Sequence, residues 1–256
     1  MKRITLLLIA ALAIQLSATA QKVRIAAAAD LRYAMDKVVE LYKQKKPGAD
    51  IQVTYGSSGN AFQQISNGAE YELYFSADIS YPKRLKELGF TISKPKLYAI
   101  GYLTLWSNTI DLKAGMNAVL DSKVSKIAIA NPEHAPYGKR AEECLKYYKL
   151  YDKIKEKLIL GDNISQTAQY VTSGNAEIGF IALSLTCAPA MKGKGKYLLI
   201  DSKSHSPLKQ AFVMLKPAKN NKLAYDFAKF VSMPDARNIF KNFGFRLPSE
   251  KESIVE

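Results

Sequence analysis

Four similar junctions in the sequence have the residue types of an anion-binding site. In each, an apolar strand runs into a polar turn that opens a helix; the junctions are Val23–Leu31, Val53–Ala61, Ile127–Gly138 and Leu158–Ser165. The first turn of a helix carries unpaired backbone N–H groups and the positive end of the helix dipole. Such an end binds an anion without a cationic side chain. Because two junctions lie in each half of the chain, we expect two lobes that close on one small oxyanion.

In the first half, the candidate contacts are Asp30, which starts a helix, and the serines of the S-S-G turn, Ser57 and Ser58. The serine hydroxyls place short donors at the helix mouth, and Gly56 and Gly59 permit a tight turn. On its own, S-S-G is more typical of a plain serine turn with a helix N-cap. Its position directly after a strand favours the binding interpretation.

In the second half, the candidates are Tyr137 and Ile164, both as backbone donors. Pro136 fixes the approach to a helix and leaves the N–H of Tyr137 free to point into the cleft. Tyr137 could instead pack as a hydrophobic staple of its helix. We expect Asn163 to cap the last helix, with the N–H of Ile164 facing the ligand and its side chain only packing.

The start of the chain reads as a signal for export. Residues 1–20 have a positive beginning, an apolar stretch from Leu6 to Leu16 and a small-x-small cleavage pattern at 18–20. The apolar stretch is too short to span a bilayer. We therefore expect a periplasmic mature protein of about 236 residues, which is enough for two lobes.

The chain is basic, with a formal net charge of +14, and about +12 remains without the expected signal. The lysines are scattered along helical stretches, as at Lys146, Lys149 and Lys153, which is typical of solvated helix faces. Their field would draw anions towards the protein. No aromatic–basic motif is present, so we expect no nucleic acid and no membrane surface as partner.

The cysteines and histidines give no metal centre, and we predict no cofactor. Cys144 and Cys187 could pair in an oxidising compartment, although a buried thiol suits Cys144 equally well. With only His134 and His205 besides, no cluster has metal-ligand spacing. A secreted hydrolase using Ser58 and one of these histidines is the competing hypothesis. No G-x-S-x-G motif supports it, so we predict that the protein is not an enzyme.

Strand-like runs alternate with helical stretches, which predicts α/β units with mostly parallel strands. The predicted strands are Val23–Ala27, Ile51–Tyr55, Leu73–Phe75, Leu97–Trp106, Lys126–Ala130, Ile178–Ala182, Tyr197–Ile200 and Gln210–Leu215. The predicted helices are Arg32–Lys45, Ala61–Asn67, Pro82–Leu88, Lys139–Lys149, Ser165–Ser173 and Leu223–Ser232. The long run from Leu97 is a candidate crossing between lobes, with its return near Gln210. The predicted domains are 21–98 with 211–256 (lobe 1) and 99–210 (lobe 2).

Several motifs occur in order along the chain: A-A-A-A-D-L, Y-G-S-S-G, Y-F-S-A-D, Y-A-I-G-Y-L-T-L-W-S, N-P-E-H-A-P-Y-G, G-F-I-A-L-S and F-K-N-F-G-F. In this order and spacing they resemble the periplasmic molybdate-binding proteins of ABC transporters, over essentially the whole mature chain. The resemblance implies a type II periplasmic-binding-protein fold, each lobe a mixed sheet flanked by helices. It also implies a monomer that holds dehydrated molybdate or tungstate in the inter-lobe cleft and delivers it to a membrane permease.

The resemblance further implies which residues contact the ligand: Asp30, Ser58, Tyr137 and Ile164, with Ala29 and Ser57 as weaker candidates. Tyr137 and Ile164 would contribute backbone N–H groups, with a possible role for the Tyr137 hydroxyl. Many relatives have Ser, and some Asn, where this chain has Asp30. Many also have Tyr at Ala182, although A-P-Y-G can supply the tyrosine instead.

Asp30 is open to three interpretations, since an ionised carboxylate beside a dianion is repelled. We expect its carboxylate to cap its own helix while its N–H serves the ligand. It could instead stay protonated and donate a hydrogen bond. It could also accept a proton carried by the ligand, which favours hydrogen phosphate or arsenate over molybdate. The last interpretation makes a receptor for hydrogen phosphate the alternative function.

Overall fold

The structure is a computed structural model that describes residues 22–249 and residue 252. The predicted export signal, residues 1–20, lies outside this part of the chain. Among the described residues, no helix is both long and apolar enough to cross a membrane.

Ten strands form two five-stranded sheets within the described residues. In chain order they are β1 Lys22–Ala28, β2 Asp50–Gly56, β3 Leu73–Ser76, β4 Lys96–Gly101, β5 Leu103–Ser107, β6 Ile127–Ala130, β7 Leu158–Gly161, β8 Ile178–Ala182, β9 Lys196–Leu199 and β10 Leu208–Met214. The first sheet has the order β2-β1-β3-β10-β4 and the second the order β7-β6-β8-β5-β9. In each sheet three neighbouring strands are parallel and the remaining pairings are antiparallel.

Helices flank both sheets. They are α1 Arg32–Lys45, α2 Ser58–Ser66, α3 Ser80–Glu87, α4 Pro136–Tyr147, α5 Tyr151–Ile154, α6 Ile164–Thr172, α7 Leu183–Thr186, α8 Lys222–Phe230 and α9 Pro234–Asn242. A short 3-10 helix, Ala29–Leu31, joins β1 to α1. The central strands β3, β6 and β8 are buried along their whole length, as expected for strands covered on both faces. The predicted fold class, two lobes with mixed sheets and flanking helices, is confirmed.

The predicted single run Leu97–Trp106 is two strands in different sheets. β4 belongs to the first sheet and β5 to the second, and Tyr102 lies between them. The return path lies between β9 and β10, which again belong to different sheets. The lobe limits suggested by the sequence, 98/99 and 210/211, fall inside β4 and β10 and stay a prediction.

Two predicted helix ends are confirmed. Asn67 and Ser173 are the C-caps of α2 and α6, and the glycines that follow, Gly68 and Gly174, have φ values of 94° and 78°. This left-handed conformation favours glycine because it lacks a Cβ. Helix α9 was not among the predicted helix ranges; it buries Phe240 in the core of the first lobe.

Both cysteines are free thiols, Cys144 buried and Cys187 exposed. Burial raises the pKa of the Cys144 thiol to about 11, so this thiol stays protonated and inert at neutral pH.

Candidate functional site

The four predicted junctions meet where the two lobes face each other. Ser165, in the first turn of α6, donates its hydroxyl to the main-chain oxygen of Ala29 at 2.9 Å. The N–H of Gly59 in α2 donates to the main-chain oxygen of His134, just before α4, at 2.8 Å. Ligands of α/β folds bind beyond the carboxyl ends of the strands, where such turns gather. The structure thus places the junctions around one inter-lobe cleft.

Asp30 lies in the middle of this contact and is only 1% exposed. Its Oδ2 accepts hydrogen bonds from the Tyr137 hydroxyl at 2.9 Å and from Gln210 Nε2 at 2.5 Å. Its main-chain oxygen accepts the Ser184 hydroxyl at 2.8 Å. Asp30 therefore links both lobes through its side chain and its backbone.

The expectation that Asp30 caps its own helix is wrong. Neither the 3-10 helix Ala29–Leu31 nor α1 has a side-chain cap hydrogen bond. The inserted 3-10 turn makes Leu31 the N-cap of α1, which moves Asp30 out of the capping position. Its carboxylate points to Tyr137 and Gln210 instead, and Oδ1 has no hydrogen-bond partner among the described residues.

Burial raises the pKa of the Asp30 carboxyl from 3.8 to about 6. Hydrogen bonds from Gln210 and Tyr137, and to a smaller extent the main-chain N–H groups of Asp30 and Leu31, lower the pKa, because they stabilise the charged form. Loss of hydration outweighs them, so the group titrates close to neutral pH.

Tyr137 supplies a tyrosine hydroxyl to the site from α4, while Ala182, the end of β8, is fully buried. The hydroxyl has room because residue 101 is a glycine. A Cβ at Gly101 would clash with Tyr137 Oη and would lie 2.8 Å from Gln210 Nε2. Gly101, within the motif Y-A-I-G-Y-L, therefore allows the two donors to reach Asp30 together.

The two serines of the S-S-G turn have different roles. Ser57 is the N-cap of α2: its Oγ accepts from the N–H of Asn60 at 3.3 Å and lies 2.9 Å from Nδ1 of His134. Ser58 Oγ accepts from the N–H of Ala77 at 3.0 Å, which leaves the hydroxyl proton available for a ligand. His134 pairs with Ser57, so the serine–histidine pair required by the hydrolase hypothesis is not formed at Ser58.

Asn163 caps α6 as predicted, since its Oδ1 accepts from the N–H groups of Ser165 at 3.0 Å and Gln166 at 3.1 Å. Ile164 is buried, with 4% of its surface exposed. Within residues 22–249, the main-chain N–H groups of Ser58, Tyr137 and Ile164 make no hydrogen bond. Each of them lies in the first turn of a helix and is a free donor for an anion.

A largely buried ion pair also joins the lobes. Arg140 Nη2 lies 2.7 Å from Asp78 Oδ2, and the two side chains are 8% and 18% exposed. Arg140 Nη1 contacts Glu143 at 2.8 Å. Two carboxylates thus balance the charge of this guanidinium, and the ion pair with Asp78 holds the lobes together. Arg140 Nε is buried and has no hydrogen-bond partner among the described residues.

A cavity of about 180 Å³ opens beside the cleft, between α1 and α6. Arg32 and Lys194 line it together with Ser165 and Gln169. An anion in this cavity would contact cationic side chains instead of helix N-termini. Among the described residues, no group of three or more His, Cys, Asp or Glu side chains could hold a metal ion.

Sequence reasoning missed Gln210, Ser184, Arg140 and Asp78. Gln210 lies at an irregularity in the pairing of β10 with β4, and such a bulge can turn a side chain towards a site. No local pattern marks it in the sequence. Asp78 does stand at the end of the motif Y-F-S-A-D, and Arg140 follows two residues after A-P-Y-G, which was the available signal.

Comparison with known proteins gives consistent matches. The family model described as bacterial extracellular solute-binding protein matches residues 23–246. The molybdate-binding protein ModA of Azotobacter vinelandii is 32% identical over 90% of this chain and 92% of its own length. ModA of Rhodobacter capsulatus is 32% identical over 90% of each chain. The solved periplasmic molybdate-binding protein of A. vinelandii superposes with a TM-score of 0.84 at 29% identity, over 89% of this chain and 100% of that one.

The raised pKa of Asp30 predicts a pH-dependent stability. The folded-state pKa, about 6, exceeds the ordinary value of 3.8. Protonated Asp30 therefore adds to the free energy of unfolding. This stabilisation is fully present below about pH 4 and is lost as the pH rises through about 6, where the buried carboxyl ionises. Asp30→Asn avoids burying a charge, so above pH 7 we expect the unliganded variant to be more stable by up to about 3 kcal/mol. Urea unfolding between pH 4 and pH 8 measures the difference.

Asp152→Asn is the matched control, since this carboxylate is 92% exposed, and its effect should be small at every pH. A stability difference between wild type and Asp30→Asn that stays constant from pH 4 to pH 8 would contradict the burial argument.

Proposed function

Since the chain belongs to the bacterial extracellular solute-binding protein family, we propose that it captures molybdate in the inter-lobe cleft and delivers it to the membrane permease of an ABC transporter. The single observation that carries this proposal is the set of unpaired N–H groups at Ser58, Tyr137 and Ile164, from helices of both lobes. The ModA relatives, which match over nine-tenths of the chain, support molybdate as the anion.

The proposed contacts are the main-chain N–H groups of Ser58, Tyr137 and Ile164, the Ser58 hydroxyl, and Asp30. Ser57 contributes less, because its hydroxyl already has partners within the protein. Ala29 could offer only its main-chain N–H, since its main-chain oxygen is an acceptor that already receives the Ser165 hydroxyl. The N–H groups are fixed by helices on rigid sheets, so their geometry does not have to be rebuilt when the anion arrives.

Capture proceeds by closure of the lobes around the anion. Contacts from both lobes to one ligand stabilise the closed state relative to the open one. Two contacts between the lobes also stabilise the closed state: the hydrogen bond from Ser165 to Ala29 and the ion pair between Arg140 and Asp78. The permease would then recognise the closed form. Molybdate and sulfate are both tetrahedral dianions, so discrimination between them comes from the size of the enclosed space.

Tungstate has the same charge and shape as molybdate, and we propose it as a second ligand. We also propose that the protein acts in the periplasm, after removal of its export signal, as a monomer without cofactor. Catalysis is not proposed, since the family is one of solute-binding proteins and His134 pairs with Ser57 instead of Ser58.

The first test is the melting temperature of the mature protein with molybdate, tungstate, sulfate and hydrogen phosphate at equal concentration. A ligand at roughly a thousand times its Kd stabilises by about 4 kcal/mol, which corresponds to a shift of roughly 8–16 °C for a chain of this size. We expect this shift with molybdate and tungstate and little change with the others. A shift with hydrogen phosphate alone would support the alternative ligand, which the relatives do not favour.

Removal of the Ser58 hydroxyl should weaken binding. A hydrogen bond to a charged group contributes about 1.5–3 kcal/mol, so we expect Ser58→Ala to raise the Kd for molybdate roughly 10- to 100-fold by titration calorimetry. Ser173→Ala is the matched control, since that serine is exposed at the end of α6. Equal affinity of Ser58→Ala and wild type would remove Ser58 from the site.

A further inference from the structure

The two oxygens of the Asp30 carboxyl are not equivalent. Oδ2 accepts two hydrogen bonds, from Tyr137 and Gln210, which use both of its lone pairs. Oδ1 is fully buried and has no partner among the described residues. A buried polar atom without a partner is destabilising, and such an atom at a binding site suggests a missing ligand contact.

Gln210 makes hydrogen bonds at both ends of its amide. Its Oε1 accepts the hydroxyl of Tyr98 at 2.7 Å, and its Nε2 donates to Asp30 Oδ2 at 2.5 Å and lies 3.2 Å from the Tyr137 hydroxyl. With the amide in this orientation Oδ2 accepts two hydrogen bonds, which leaves Oδ1 as the oxygen that can carry a proton.

The groups around Asp30 carry no compensating charge. Tyr137 from α4 and Tyr98 from β4 face it, and burial raises the pKa of both hydroxyls well above their usual value, so both are neutral. From α7, Ser184 contacts only the backbone of Asp30. The nearest cation along the chain, Arg32, lies over the Tyr55 ring, 5.6 Å from its centroid.

We propose that Asp30 carries a proton on Oδ1 when the oxyanion is bound and donates it in a hydrogen bond to one of the anion's oxygens. The proposal rests on the proposed function and specifies how this site accepts a dianion. The proton comes from solvent, no covalent bond of the anion changes, and each loading event takes up one proton. Gln210 is a positioning residue that assigns the proton to Oδ1.

Electrostatics favour this state over an ionised Asp30. Burial already brings the pKa of the unliganded carboxyl to about 6, and a dianion beside it raises the pKa further. Above pH 6 the unliganded protein has to acquire the proton in order to bind. The Kd for molybdate should therefore rise about tenfold for each pH unit between 7 and 8.5.

Titration calorimetry at pH 7.5, in two non-oxyanion buffers that differ in protonation enthalpy, measures the proton uptake directly. Molybdate is a dianion at this pH, so it brings no proton of its own. We expect about one proton taken up per molybdate by wild type and none by Asp30→Asn, whose amide donates without titrating. Asp152→Asn, which changes an exposed carboxylate, is the control and should take up as many protons per molybdate as wild type.

Two results would overturn the inference: molybdate binding by wild type without proton uptake, or equal uptake by Asp30→Asn. Complete loss of molybdate binding by a folded Asp30→Asn at all pH values would also contradict it, since the amide should replace the acid as donor. No heat from molybdate in wild type at any pH between 5.5 and 8.5 would instead refute the proposed function. The two failures are thus distinguishable.

Gln210→Met tests the positioning role. Removing a donor from Oδ2 raises the pKa of Asp30, so the pH above which affinity declines should move upward. A purely structural role for Gln210 would lower the affinity by the same factor at every pH and leave that pH unchanged.

Discussion

An anion enclosed between two protein lobes loses its water and has to be stabilised by groups that are already in place. In the proposed site, helix N-termini would meet that constraint. Ser58, Tyr137 and Ile164 each lie in the first turn of a helix that follows a strand, and their N–H groups have no partner within the described part of the chain. The buried guanidinium close to the lobe contact, Arg140, is already balanced by Asp78 and Glu143. If the anion binds as proposed, selectivity depends on shape and on hydrogen-bond donors more than on net charge.

The buried carboxylate of Asp30 fits this arrangement only as part of a network. Gly101 leaves the space in which Tyr137 and Gln210 both reach Oδ2. Tyr98 in turn donates its hydroxyl to Oε1 of the Gln210 amide. The network joins residues from β4, α4 and β10 around one side chain, so lobe contact and carboxylate chemistry are coupled. Substitution of any residue in this network should therefore alter both the contact between the lobes and the protonation of Asp30.

Much of the local structure follows from the sequence, because strand–turn–helix junctions and helix caps are short-range features. Helix α1 has the predicted bounds Arg32–Lys45, and Asn163 caps α6 as expected. The family resemblance, based on the order of motifs, also led to the correct fold. The break at Tyr102 was missed, since an unbroken apolar run does not reveal that its halves pair in different sheets.

The site could be predicted only in part, because its side-chain network is long-range. Gln210 and Asp30 are 180 positions apart, and nothing around Gln210 in the sequence indicates its direction. The capping role expected for Asp30 was wrong because the 3-10 turn Ala29–Leu31 precedes α1 and makes Leu31 its N-cap. The sequence predicted the bounds of α1 but not this turn, since the boundaries of short turns are the least certain part of a local prediction.

The most direct test of the central claim is the position of the metal atom in crystals of the protein grown with molybdate, located by anomalous scattering at the molybdenum edge. The account predicts one peak in the cleft, with oxygens in hydrogen-bond reach of the N–H groups of Ser58, Tyr137 and Ile164 and of Asp30 Oδ1. A peak in the cavity beside Arg32 and Lys194 would contradict it, because the anion would then be held by cationic side chains.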